Sequence, residues 1–245
     1  VSRLPTLAVV QHEDGCPLGL LEPWLKEAGA TLRIHRPYAG DPLPDPAEAD
    51  GLIVLGGSMG ASGDDDRHPW LPATRDLLRA SVDRTLPTLA VCLGHQLLVA
   101  ACGGTVGRNP AGKQMGLLPV GLTEAAEDER LFANVREGSR AVQWNNDIAL
   151  ELPPGTVTLA ETPEGVAQAI RIGEAAWGIQ FHPEVDADMV AAWAADDRPR
   201  PGAPEAIEAI RDAACELEAT LRPFAASFVN LTERGFPAFW LGRPS

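Results

Sequence analysis

Short apolar runs alternating with amphipathic stretches set the rhythm of the first hundred residues. Thr6 to Gln11, Thr31 to His35 and Asp50 to Leu55 are β-prone and too short for buried helices. Between the first two, Pro17 to Ala28 carries apolar residues at helical spacing until Gly29 stops it. Pro37 to Pro46 reads as a proline-rich connection. Pro69 to Arg84 repeats the helical pattern, with Leu71, Leu77, Leu78 and Val82 turned inward. Thr88 to Val91 is a fourth strand. It ends on Cys92, turns at Leu93-Gly94 and passes into a helix over Gln96 to Cys102, closed by Gly103-Gly104. This strand, helix, strand alternation predicts an α/β fold: a doubly wound, mostly parallel sheet with helices on both faces. Ligands of such sheets gather at the carboxyl ends of the strands.

Beyond Gly104 the pattern turns β-rich, through Thr105 to Val106, Leu117 to Leu122, Ser139 to Trp144, Thr156 to Glu161, Val166 to Ile172 and Gly178 to Phe181. A helix over Asp186 to Ala195 precedes a charged, proline-rich linker, Asp196 to Pro204. Ile207, Ile210, Ala214, Leu217, Leu221, Phe224, Phe228 and Leu231 then recur in steps of three and four, as one long helix or as a pair broken near Pro223. The chain therefore divides into a sheet domain over 1–196 and a linker with a C-terminal helical extension over 197–245. The apolar seam must be covered, by docking on the sheet domain, by a homodimer through these helices, or by a separate synthetase subunit. Phe236, Phe239 and Trp240 in the tail are expected to pack as well.

Composition narrows the function classes. A formal charge of -14 argues against nucleic acid or an anionic membrane as partner. No stretch has the length of a membrane span and the first residues lack a signal-peptide pattern, so a cytoplasmic protein is expected. Cys16, Cys92, Cys102 and Cys215 are widely spaced and read as reduced thiols, not metal ligands. Asp64-Asp65-Asp66 fans its carboxylates apart, as a solvated run does. Gly107 to Lys113 matches Gly-x4-Gly-Lys, but Gln114 and a strand-like alternation follow where a phosphate loop needs Ser or Thr and a helix.

Two segments carry candidate chemistry. A cysteine on a strand-to-helix corner is pushed out above the sheet, over the positive end of the helix, which favours thiolate; the alternative is an inert core cysteine. About ninety residues on, His182-Pro183-Glu184 closes another strand. Alternation along an extended chain puts the imidazole and the carboxylate on one side, as a base with its orienting group or as a strand cap beside a solvated glutamate. Gln143 to Asp147 is a polar strand end that suits either a turn or the ends of an amino acid. A zinc site of Cys92, His95 and His182 would lack a fourth ligand, so no metal is expected.

Ala90-Val91-Cys92-Leu93-Gly94-His95-Gln96 together with His182-Pro183-Glu184 resembles the class I, triad-type glutamine amidotransferases, related to the glutaminase domain of GMP synthase, over roughly residues 6 to 196. That family is flavodoxin-like and usually has glycine where this chain has Ala90. The resemblance implies Cys92 as nucleophile, His182 as acid and base, and Glu184 as its orienting carboxylate. It implies backbone N–H groups of Gly57 and Leu93 as the oxyanion hole, and no cofactor. Gln96 is the substrate contact that the resemblance implies; Ser58 on the glycine loop is a further candidate, and so, from the polar strand end, are Asn145 and Asn146, where related stand-alone members often have histidine. Ser58 stands where the family often has proline, so the Gly56-Gly57 loop is expected to be more mobile, set by substrate or partner. Glutamine or another γ-glutamyl small molecule is the implied substrate. Ammonia would pass to a separate synthetase subunit, or the chain would act alone as a γ-glutamyl hydrolase; a non-catalytic binding protein on the same fold is the third reading.

Overall fold

A computed structural model describes residues 3–196 and 201–233. Its strands are β1 (Thr6–Val10), β2 (Thr31–His35), β3 (Gly51–Val54), β4 (Thr88–Val91), β5 (Thr105–Arg108), β6 (Gln114–Pro119), β7 (Arg140–Asn145), β8 (Asp147–Glu151), β9 (Val157–Glu161), β10 (Ala167–Ile172) and β11 (Ala176–Ile179). The helices are α1 (Leu21–Glu27), α2 (Trp70–Asp83), α3 (Leu93–Ala101), α4 (Ala187–Asp196), α5 (Ala203–Asp212) and α6 (Ala214–Glu233). Seven strands form the central sheet in the order β2-β1-β3-β4-β11-β10-β9. The first five run parallel, and β10 and β9 extend the sheet antiparallel. The β-rich stretch after α3 also makes two outlying antiparallel pairs, β5 with β8 and β6 with β7. Gly107 lies in β5 and β6 follows the glycine loop, so this segment has no helix N-terminus for a phosphate.

Alternation on β1, β3 and β4 splits the interior into two layers. Ala8, Val10, Leu52, Val54 and Ala90 face α2 and α3, whereas Leu7, Val9, Ile53, Leu89 and Val91 face the layer containing α1 and α6. Leu71, Leu77 and Leu78 of α2 are buried as expected, while Val82 is only partly so. Because β1, β3, β4 and β11 are parallel neighbours, their carboxyl ends open side by side. Glu13, Gly57, Cys92 and His182 each follow one of them.

The C-terminal seam packs against its own chain: Ile210, Leu217, Leu221, Phe224, Phe228 and Leu231 are buried in the same layer as α1 and the sheet. Phe224 meets Phe132 and Phe181 edge-on at 5.4 and 6.5 Å. The helices form a pair, but the break falls at Ala213, and Pro223 lies inside α6. Burial of the seam offsets the roughly 3 kcal/mol that a proline costs in a helix interior. The break also shifts the phase of the seam, so Ala213 is buried and Ala214 exposed. Residues 197–200 of the linker and the tail aromatics Phe236, Phe239 and Trp240 lie outside the described residues. Among the described residues no helix is long and apolar enough to cross a membrane.

Candidate active site

β4 runs in the middle of the sheet, with Ala90 in register with Val54 of β3 and Gly178 of β11. Alanine fits there fully buried. The strand's last ladder bond runs from Cys92 N–H to Ile179 O at 2.8 Å, and Cys92 O then accepts Gln96 N–H at 3.0 Å as the first bond of α3. One residue thus ends a strand and opens a helix. That corner forces Cys92 to φ 52° and ψ -106°, a strained setting for a side chain with a Cβ. The corner also presses against β3: a Cβ on Gly94 would stand 2.2 Å from Val54 O, so only glycine allows this approach. Cys92 is thereby the N-cap of α3, next to a first turn whose amides lack intrahelical partners.

β11 delivers the imidazole. His182 N–H donates to Val142 O at 2.8 Å, pinning the segment to β7. Its Nδ1 lies 2.7 Å from Glu184 Oε1, and both side chains are buried. Glu184 is itself held from behind, because its carbonyl accepts Leu20 N–H at 2.8 Å. This contact needs Gly19, at φ +46°, where a Cβ would collide with Glu184 O at 2.1 Å. It also explains why α1 starts at Leu21 and not at Pro17 as the sequence pattern suggests. The Trp193 ring packs 5.0 Å from the imidazole.

The electrostatics separate this histidine from the others. Burial pulls His182 downward, but the Glu184 carboxylate and the Cys92 side chain reverse the effect and raise its pKa to about 10. His95, equally buried and without such neighbours, is lowered by burial to about 4. His12, lowered by burial and by His68, also falls to about 4. Nε2 of His182 has no partner with full hydrogen-bond geometry among the described residues, yet Cys92 interacts with the ring. We read this as a loose thiol–imidazole contact, of the kind that tightens when a substrate is bound. A Cβ on Gly56 would lie 3.5 Å from both Cys92 Cβ and His182 Cε1, so Gly56 borders the gap between them.

The remaining candidates are placed less uniformly. Gly57 adjoins Leu93, whose side chain would meet a Cβ there at 2.9 Å. Ser58 N–H and Oγ–H both donate to Glu13, each at 2.7 Å. The buried Gln96 donates through Nε2 to Asp147 O at 2.9 Å and to Gln180 Oε1 at 3.2 Å. Asn145 donates to Gln114 Oε1 and Asp147 O, while its buried Oδ1 has no partner among the described residues. Asn146 is half-buried, and its carbonyl accepts Asn109 N–H at 2.9 Å. Two features escaped the sequence pattern. One is the pair of buried carboxamides Gln168 and Gln180, which accept from Gln143 and Gln96 in turn. The other is Glu13, signalled only by a polar run, Gln11-His12-Glu13, at the carboxyl end of the first strand. Among the described residues no group of three or more His, Cys, Asp or Glu is placed to hold a metal. Asp64 and Asp65 instead pair with Arg67 and Arg75.

Known proteins with related sequences agree with this architecture. The chain is 31% identical over 184 residues to the glutamine amidotransferase-like protein YfeJ of Salmonella typhimurium, covering 74% of this chain and 76% of that protein. It is 32% identical over 169 residues to gamma-glutamyl peptidase 5 of Arabidopsis thaliana, covering 67% of this chain and 66% of the peptidase. Against the GMP synthase of Christiangramia forsetii it is 33% identical over 150 residues, 60% of this chain but 27% of the synthase. The chain thus spans about three quarters to one quarter of the length of these relatives. In fold it superposes on a glutamine amidotransferase from Thermotoga maritima with a TM-score of 0.83 at 22% identity, covering 96% of this chain and all of that one. The family model described as Glutamine amidotransferase class-I matches residues 21–189, and the chain belongs to that family.

Proposed function

We propose that this protein cleaves the γ-carboxamide of glutamine or of a γ-glutamyl amide through a thioester on Cys92. The observation that carries the reading is the strained cysteine at the N-terminus of α3, facing a buried imidazole that its carboxylate neighbour keeps protonated at neutral pH. An imidazolium beside the sulfur stabilises thiolate, the attacking form. The thiolate adds to the γ-carbonyl carbon, and the N–H groups of Gly57 and Leu93 hold the resulting oxyanion. His182 gives its proton to the departing nitrogen, the C–N bond breaks, and ammonia or an amine leaves. The neutral imidazole then takes a proton from water, which attacks the thioester; collapse of the second tetrahedral intermediate expels the Cys92 thiolate beside the reprotonated imidazole, restoring the starting pair, and the freed γ-carboxyl group gives its proton to solvent. Each oxyanion donor contributes roughly 3 to 4 kcal/mol in such reactions, and proton transfer about a hundredfold or more.

Two substrates fit this chemistry. Free glutamine, with ammonia passed to a separate synthetase, is the first. A γ-glutamyl peptide or amine, hydrolysed by this chain alone, is the second, favoured by a similarity that covers 66% of a gamma-glutamyl peptidase but 27% of a GMP synthase. Free thiols at all four cysteines suit a reducing compartment such as cytoplasm. Rates on glutamine and on a panel of γ-glutamyl amines and dipeptides, for the wild type and Cys92→Ala, test the assignment. Cys92→Ala should be inactive on every member. Retention of the wild-type rate by that variant would overturn it.

A further inference from the structure

Glu13 is half-buried and, through its own carboxylate, joins two loops at the catalytic edge. Oε1 accepts Ser58 N–H at 2.7 Å and the Cys16 thiol at 3.2 Å, while Oε2 accepts the Ser58 hydroxyl at 2.7 Å. Its backbone is anchored in turn, because Glu13 O accepts the buried Gln11 side chain at 2.8 Å and Cys16 N–H at 3.3 Å. Cys16 is buried, and burial and the adjacent carboxylate push its pKa up. It therefore remains a thiol and a donor to Glu13.

The N–H of Ser58 shares its peptide plane with the carbonyl of Gly57, and the adjoining plane, which carries the Gly57 N–H, meets it at the Gly57 Cα. Fixing the Ser58 N–H on a carboxylate fixes the first of these planes, in a Gly-Gly-Ser stretch that has little else to hold it. Turning the plane over would break a charge-assisted bond and bring the Gly57 carbonyl round toward the same carboxylate. We propose that Glu13 is the positioning residue that presets the Gly56-Gly57-Ser58 loop, holding the Gly57 amide ready for the oxyanion before substrate arrives. Serine takes the place of proline here because its hydroxyl and N–H together make a two-point clamp, which proline cannot. The loop is then fixed from within the chain. This inference rests on the thioester reading of Cys92, since it assigns Glu13 a role only in a reaction that forms an oxyanion.

The test compares Glu13→Ala and Glu13→Gln with the wild type in three measurements on the full chain. These are kcat and KM on the best γ-glutamyl substrate, inhibition by the γ-aldehyde analogue of glutamine, and alkylation of Cys92 by iodoacetamide. The aldehyde adds to the thiolate and develops the oxyanion; iodoacetamide reports the thiolate without it. Glu13→Ala should lower kcat about 30- to 100-fold, approaching the loss of one oxyanion donor, and weaken the aldehyde by a similar factor. KM and the alkylation rate should stay within about threefold. Glu13→Gln, whose carbonyl can still accept Ser58 N–H and whose amide can donate to Ser58 Oγ, should recover most of the activity. Equal kcat and aldehyde affinity in Glu13→Ala would refute the positioning role. A rise in KM at constant kcat would refute it too, making Glu13 a substrate contact. Parallel loss of alkylation in both variants would make it a fold residue. A wild type that forms no aldehyde adduct would instead overturn the thioester reading itself.

Discussion

Glu184→Gln isolates the charge that sets the state of the imidazole. With Nδ1 and Oε1 2.7 Å apart, the centres of the two charges lie about 4 Å from each other, worth about 4 kcal/mol at an effective dielectric constant of about 20. At 1.36 kcal/mol per unit this is about three pKa units. The comparison with His95 supports the scale, since that ring, buried without a carboxylate, is lowered to about 4 while His182 is raised to about 10. The variant should therefore titrate near pH 7, with Cys92 supplying what remains of the upward shift. At pH 8 the protonated fraction would fall from about 99% to about 10%. Two readouts follow: the imidazole resonances of His182 across a pH titration, and the rate of Cys92 alkylation at pH 8, which should fall about tenfold. Stability gives a third. A folded-state pKa raised above the unfolded value near 6.5 contributes stability that is complete below that pH and is lost as pH rises through about 10. The wild type should thus lose stability over that window relative to Glu184→Gln, whose curve should be flatter there. A titration midpoint that moves by less than one unit would show that Glu184 is not what holds the proton, and would refute the reasoning.

Two further substitutions probe the site and its support. Gly56→Ala places a methyl 3.5 Å from both Cys92 Cβ and His182 Cε1, ordinary contact distances at a residue without positive φ. Stability should change by less than about 1 kcal/mol, yet acylation should fall at least tenfold because the methyl stands where the substrate carbon must enter; an unchanged burst of acylation would show that substrate approaches elsewhere. Phe224→Ala removes a ring buried between Phe132 and Phe181 and should cost about 3 to 5 kcal/mol in urea unfolding. A cost below about 1 kcal/mol would mean that α6 is not docked as described.

Much of the fold was legible because its signals are local. β1, β3, β4, α2 and α3 follow from short apolar runs and one amphipathic face, and their boundaries fall within a few residues of the pattern. β8 was not legible: in Asp147–Glu151 only Ile148 and Ala149 are buried, two neighbours that give no alternation. The break in the C-terminal pair was misplaced for a different reason. Pro223 is the strongest local breaker in the segment, but a seam with Leu221 and Phe224 on either side gains more from continuing than the proline costs.

The site shows the same division more sharply. Cys92, His182 and Glu184 announce themselves by residue type at strand ends, and the strand order β1-β3-β4-β11 is what turns four separate ends into one edge. What fixes their geometry is less visible, because it is carried by residues whose local role looks ordinary. Gly19 reads as a helix residue until Glu184 O occupies the space of its Cβ, and Glu13 reads as a surface acid until Ser58 closes on it. Both belong to the loop between β1 and α1, which bears neither the sulfur nor the imidazole. That loop contacts the Glu184 carbonyl through Leu20 and the glycine loop through Glu13. A single connection therefore touches both the His182-Glu184 segment and the Gly56-Gly57-Ser58 loop. Substitutions there should alter acylation while leaving Cys92, His182 and Glu184 untouched.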